Sequence, residues 1–279
     1  MLTLLTTSGM QVPNWEALEA ASWMAHRDYL MGYKFPRHYQ KLLSSPDSNT
    51  KFTKGGGLPI IGLTLAPAGM SGYQLCPNRS AECEAACLGV TAGRSRFSNV
   101  VEARIKKTRF LMESPYYFFR NLYHELNAAR VKYKKFAFRS NVLSDIPWED
   151  VAPDIYNFSE HNYDYTKSLA RALRSLRFNS AINLTLSYSG RNWQDCAEYL
   201  RQGGNVAMVF KVKRDEPLPL TFVRGYKEWR VINGDANDRR YTDPLTVGGA
   251  IVGLRAKGNI DMNSPFVVNP NRRTECESI

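Results

Sequence analysis

Cys76, Cys83 and Cys87 fall within twelve residues, in the stretch from Cys76-Pro77 through Ser80-Ala81-Glu82-Cys83 to Ala85-Ala86-Cys87, and the whole chain has five cysteines. Thiolates this close in sequence commonly share a metal ion, an iron–sulfur cluster or a redox task. Ser80 is suited to cap a helix beginning near Ala81. Cys83 and Cys87 then stand four residues apart on one face of that helix, and Cys76 folds back from the preceding loop. A helix N-terminus lowers a thiol pKa, which favours ligation. Three such thiolates suit a [4Fe–4S] cluster with one iron left open. They equally suit zinc, completed by a histidine, a carboxylate or water. The plainer alternative is three small buried or reactive side chains. The spacing is not that of a zinc finger, because no second Cys/His pair follows at the usual distance. Cys196 reads as a core residue of a helix and Cys276 as part of a polar tail after Arg272-Arg273.

A second set of candidates lies in short polar knots that follow apolar runs. Arg139, Asn141 and Asp145 are in the first, Lys167 in the second, Ser187 in the third, Asp235, Asp238 and Arg239 in the fourth, and Arg255 and Lys257 in the fifth. One such knot is only a loop. Five at the same end of successive strands describe one rim. Asp235 and Asp238 are spaced for a divalent ion or a ribose diol, against the plain reading of an Asp/Gly turn. Asp145 is a candidate general base, or else a turn cap before Pro147-Trp148. Lys167 is a candidate anion contact, or else a solvated lysine at a helix start. Arg139, Lys167, Arg239, Arg255 and Lys257 are suited to neutralise phosphate. His161, the one histidine in these knots, reads as a loop residue; His26, His38 and His124 carry no signal.

These residues need a scaffold that brings strand ends together. The pattern predicts strands over residues 59–66, 135–140, 154–158, 181–187, 205–212, 229–233 and 250–255. It predicts helices over 14–31, 81–89, 98–112, 115–132, 167–177 and 191–202. Continuous apolar strands such as Val206-Ala207-Met208-Val209-Phe210 suit a parallel sheet covered by helices. Alternation of this kind predicts an α/β fold with a mostly parallel sheet: an incomplete TIM-like barrel, with an open doubly wound sheet as the alternative. In either, the C-terminal strand ends carry the chemistry, and the cysteine segment leaves the first strand there. The expected organisation is a helical appendage over 1–45, a barrel-like domain over 46–268 and a polar tail over 269–279. The polar, Gly-rich stretch 44–57 serves as the connecting loop.

With 279 residues, 43% of them hydrophobic, the chain can bury a full core. Its net charge of +11 favours an anionic partner, a nucleotide or nucleic acid, over a merely solvated basic surface. No apolar run reaches the length of a membrane span, and the first residues lack the basic and apolar regions of a signal peptide. A cytoplasmic protein is expected, with metal-binding rather than disulfide-bonded cysteines.

The order of several short motifs resembles the phage gene-88-product family. The matching pieces include Asn49-Thr50-Lys51, Leu63 through Ala68, Cys76-Pro77 with Cys83 and Cys87-Leu88, Gly93-Arg94, Ala103-Arg104 with Lys107-Thr108, Arg139 through Asp145-Ile146, Tyr163 through Lys167, Leu184-Thr185 with Ser187, Gly234-Asp235 with Asp238-Arg239, and Val252-Gly253-Leu254. The resemblance covers about residues 48–268 and implies a phage-encoded accessory protein, working in the host cytoplasm. The layout is also similar to that of radical S-adenosylmethionine enzymes, where three cysteines after the first barrel strand hold a [4Fe–4S] cluster whose open iron takes the methionyl group of the cofactor. Those enzymes space their cysteines by three and then two residues; here the gaps are six and three. The likeness to radical enzymes implies an iron–sulfur enzyme, and the positive charge a nucleotide or nucleic acid as its substrate. The alternative is a binding module for nucleic acid or a host protein, with a structural metal.

Overall fold

The computed structural model describes residues 10–34, 40–46, 52, 56–91, 95, 97–177, 180–213, 215–258 and 260–270. His38, Cys276, most of the 44–57 loop and nearly all of the tail lie outside the described residues. In chain order the elements are α1 (Trp15–Leu30), β1 (Leu43–Ser44), β2 (Ile60–Leu63), α2 (Ala81–Ala85), α3 (Leu88–Thr91), α4 (Ser98–Glu113), α5 (Pro115–Tyr133), β3 (Ala137–Arg139), α6 (Trp148–Val151), β4 (His161–Thr166), α7 (Leu169–Ser175), β5 (Asn183–Ser187), α8 (Trp193–Arg201), β6 (Val206–Phe210), β7 (Thr221–Arg224), β8 (Lys227–Asn233), β9 (Ile251–Arg255) and β10 (Val267–Val268). Among the described residues no helix is long and apolar enough to cross a membrane.

The chain divides into two compact units. Met1–Pro77 with Arg94–Asp164 form the first, and Asn78–Gly93 with Tyr165–Ile279 the second. In the first unit β2, β3 and β4 run parallel, and β1 adds antiparallel to β2. Helix α5 opens at Pro115, whose fixed φ suits the first helical turn. It buries Phe118, Phe119, Leu122 and Leu126, with the Phe119 ring edge-on to Trp148 at 6.2 Å. Helix α1 starts at Asn14, whose side chain accepts the Ala17 N–H at 3.0 Å. It packs on α5, with the Ser22 and Tyr123 hydroxyls 3.0 Å apart and Arg120 donating to the Tyr33 carbonyl at 2.5 Å.

In the second unit β5, β6, β9 and β8 are parallel neighbours, β7 closes a hairpin on β8, and β10 pairs with β6. Leu186, Val206, Met208, Phe210 and Ile251 form a buried layer with Cys196, Tyr199 and Leu200 of α8 and with Phe222 and Trp229 of the hairpin. The α/β class and the mostly parallel pairing agree with the sequence pattern. The path of paired strands is open within each unit, and β9 lies between β6 and β8. The strictly sequential order of a TIM barrel is therefore not followed there.

Two sequence expectations are corrected. Residues 154–158 are not a strand but a 3-10 helix, Pro153–Phe158. The strand follows at His161–Thr166, where Tyr163, Asp164 and Thr166 are buried. Pro153 starts a helical turn, and the polar residues that looked like a loop are the strand itself. His161 pairs with Ala137 at the entry of β4, so it sits away from the C-terminal edge. The single helix over 81–89 is two short ones, α2 and α3, interrupted at Ala86-Cys87.

The turn into β9 sets the tightest backbone approach in the second unit. Gly249 has φ +67°, and a Cβ there would lie 2.2 Å from the Gly204 carbonyl oxygen. Gly249→Ala should therefore cost about 2–3 kcal/mol, read from urea unfolding, through a strained left-handed φ and a backbone clash.

Candidate functional site

Parallel pairing places the C-terminal strand ends of each unit on one edge of its sheet. In the first unit that edge carries Arg139, Ser140 and Asn141 after β3 and Asp164 in β4. Asp164 is fully buried. Its carboxylate accepts the Ser140 hydroxyl at 2.5 Å, the Asn141 N–H at 2.8 Å and the Asn141 side-chain amide at 3.3 Å. Arg139 forms an ion pair with it at 3.7 Å. Asn141 in turn accepts from Ser144, the Ile146 N–H and the Trp148 indole at 2.9, 3.0 and 3.1 Å, and donates to the Ile146 carbonyl. Asn141 thus shapes the loop after β3 rather than offering itself to a ligand. Asp145 is buried and its N–H donates to the Leu75 carbonyl, next to Cys76. Its side chain does not cap the following helix, whose N-cap is Pro147.

Cys76 lies on this same edge. Its sulfur accepts the Ala68 N–H at 3.4 Å and donates to the Leu143 carbonyl at 3.8 Å. Ala68 follows β2 and Leu143 follows β3, so the thiol bridges two strand exits. Ala68 has φ 47°, an uncommon value for a residue with a side chain.

In the second unit Ser80 holds the helix that bears Cys83. Its oxygen accepts the Cys83 N–H at 3.0 Å as the cap of α2, and its hydroxyl donates to the Ser189 carbonyl, just past β5, at 2.6 Å. Arg191 makes a forked bond to Glu82 at 2.7 and 2.5 Å, and this holds the Glu82 carboxyl down at about 2. Asn192 ties the same loop by accepting the Ser189 N–H and donating to the Ser187 carbonyl. Cys87 lies past the end of α2 and opens α3, whose Val90 N–H donates to the Cys87 carbonyl. Burial raises the Cys87 thiol above its ordinary value; the Gly89 amide and Lys167 pull it down, and neighbouring Cys83 adds to the rise. The net direction is upward, so the lowered thiol expected of a helix N-terminus is not found at Cys87. Cys196 is buried, and burial pushes its thiol up to about 12, which fits a core role.

The remaining sequence candidates separate into two groups. Ser187 ends β5, Arg255 ends β9 and Asp235 follows β8, all on the C-terminal edge of the second unit's sheet. Asp235 accepts from the Arg255 N–H at 2.9 Å, from its guanidinium at 3.3 Å and from Lys257. Burial pushes its carboxyl up, but Lys257 and Arg255 outweigh that and hold it below the usual carboxylate range. Asp235, Arg255 and Lys257 thus act as one ionic cluster. Asp238 and Arg239 are buried separately, with Arg239 donating to Tyr241 at 3.2 Å.

Cys83 and Cys87, two soft thiols beside one another, fit a thiophilic metal. Among the described residues no group of three or more His, Cys, Asp or Glu is assembled to hold a metal ion. Sequence reasoning passed over Asp164, the centre of the first unit's polar network. The available signal was a charge inside the Tyr163–Lys167 motif, set between two tyrosines. Ser80 was anticipated as a cap, but its bond to Ser189 depends on the fold.

A family profile described as Gene product 88 matches residues 38–277. No curated protein and no solved structure matches the chain.

Asn141→Ala should leave three donors without their partner and cost about 3–5 kcal/mol in chemical unfolding. Ser80→Ala should cost about 1 kcal/mol as a lost cap, and should raise amide exchange at Cys83 while leaving the amides of β6 protected.

Proposed function

We propose, for a chain that belongs to the phage gene product 88 family, an enzyme of a nucleotide or nucleic-acid substrate that works at the C-terminal edge of its parallel strands, with Cys76, Cys83 and Cys87 as ligands of an iron–sulfur cluster. The observation that supports this most is the anchoring of the cysteines. Within the first unit Cys76 is bonded to the exits of β2 and β3. Within the second unit the helix bearing Cys83 is tied through Ser80 to the exit of β5. In each unit, strand exits of this kind are where parallel α/β sheets keep their reactive groups.

Bound by three thiolates, a [4Fe–4S] cluster would supply an iron open to substrate or to S-adenosylmethionine, as the likeness to radical enzymes suggests. This chain's residues have tasks around it. Burial raises the Cys87 thiol and Lys167 offsets only part of that rise, so metal binding there must displace a proton. Arg255 and Lys257, although paired with Asp235, leave a net positive cluster for a phosphate. The excess of 37 lysines and arginines over 26 acidic residues also supports an anionic partner. That same excess favours the second reading, a nucleic-acid-binding module with a structural metal.

Anaerobic purification with a visible spectrum and iron and sulfide analysis tests the proposal. Cluster absorbance should vanish in Cys76→Ala, Cys83→Ala and Cys87→Ala and persist in Cys196→Ala and Cys276→Ala. Zinc without iron would replace the cluster reading with the structural one. Polynucleotide affinity should fall steeply with salt and survive Cys83→Ala; its loss together with the metal would favour the binding module. Absence of polynucleotide binding at low salt would leave a small nucleotide as the substrate.

A further inference from the structure

A cavity of about 810 Å³ lies in the first unit, between β1, β2 and the C-terminal half of α5, and shares no residue with the cysteine edge. Its apolar lining is Leu43, Ile61 and Ala129, all buried, with Ala128 on the exposed side. Lys34, Lys41 and Lys132 stand around it. The one acidic lining residue, Glu125, is already committed: its two oxygens accept the Leu42 and Leu43 N–H groups at 2.8 Å each. Lys107 donates to the Leu42 carbonyl beside it at 2.8 Å. Lys132, in the last turn of α5, offsets the negative end of that helix. Lys34 and Lys41 belong to other segments, so the helix dipole does not account for them.

The size is that of a cavity for a small organic molecule.

We propose that this cavity is a second binding site, for a small amphiphilic anion: an apolar body against Leu43, Ile61 and Ala129, and a carboxylate or phosphate head held by Lys34, Lys41 and Lys132. The site is independent of the cysteine chemistry and of its substrate.

Displacement of the fluorescent anion anilinonaphthalene sulfonate from the full-length protein tests it, using dodecanoate, dodecyl phosphate and dodecanol below micelle formation. Both anions should displace the dye about tenfold more tightly than the alcohol, the difference expected of two or three exposed charge contacts. A preference between dodecanoate and dodecyl phosphate identifies the head group. Lys34→Ala combined with Lys41→Ala should remove most of that preference and leave dodecanol binding unchanged. Ala128 is solvent-exposed, so Ala128→Trp should fill the cavity without unfolding the protein, with circular dichroism as the check, and should abolish binding of all three. Dodecanol binding as tightly as dodecanoate, or dye and anion binding that survives Ala128→Trp in folded protein, would overturn the proposal.

Discussion

The first unit depends on one buried carboxylate. Asp164 sits within a parallel strand, where a charge is costly unless every lone pair is used. Ser140 and Asn141 meet it from the exit of β3, and Arg139 supplies the opposite charge. The Ser140 oxygen also lies 3.0 Å from the Tyr156 hydroxyl, bringing the 3-10 helix into the same network. The carboxylate thereby fixes the register of β4 against β3 and the direction in which the chain leaves β3. Asn141 carries that constraint onward to Ile146 and Trp148. The loop that bears Leu143, the partner of the Cys76 sulfur, is held by this chain of bonds.

A comparable logic holds the cysteine segment of the second unit, with backbone groups as the targets. Ser80 serves two elements at once, capping α2 and reaching the Ser189 carbonyl. Asn192 closes the Ser187–Ser189 turn on itself. The interruption at Ala86-Cys87 places Cys87 at the start of a new helix, where backbone amides face its sulfur. The result is a pair of thiols with different surroundings: Cys83 in the first turn of a capped helix, Cys87 partly buried beside Lys167.

The ionic groups of the second unit are also shared rather than isolated. Arg255 binds Asp235 and reaches the Glu216 carbonyl at 2.7 Å, so β9 is tied both to the turn after β8 and to the segment before the hairpin. Positive residues that look available in a sequence are therefore partly used in holding turns. The charge left over after such pairings, not the number of arginines and lysines, decides what an anionic partner meets.

The sequence alone determined the α/β class, the parallel pairing and most helices, because those follow from apolar periodicity, caps and breakers within a few residues. Ser80 as a cap, Pro115 at a helix start and the apolar run Val206–Phe210 were legible for that reason, as was Cys196 as a core residue. It also placed Ser187, Asp235 and Arg255 at strand exits. The strand at His161–Thr166 was missed because its polar residues face a network contributed by β3 and the 3-10 helix, and no local pattern records such partners. Asn141, read as a ligand contact, turned out to be a structural hub for the same reason. The lone acid Asp235 acquired its two cationic neighbours, and Lys34 and Lys41 came to stand beside α5, only through contacts between residues far apart in the chain. Local preferences choose the elements, whereas the burial of charges and the satisfaction of their hydrogen bonds depend on which distant groups the tertiary structure brings within 3 Å.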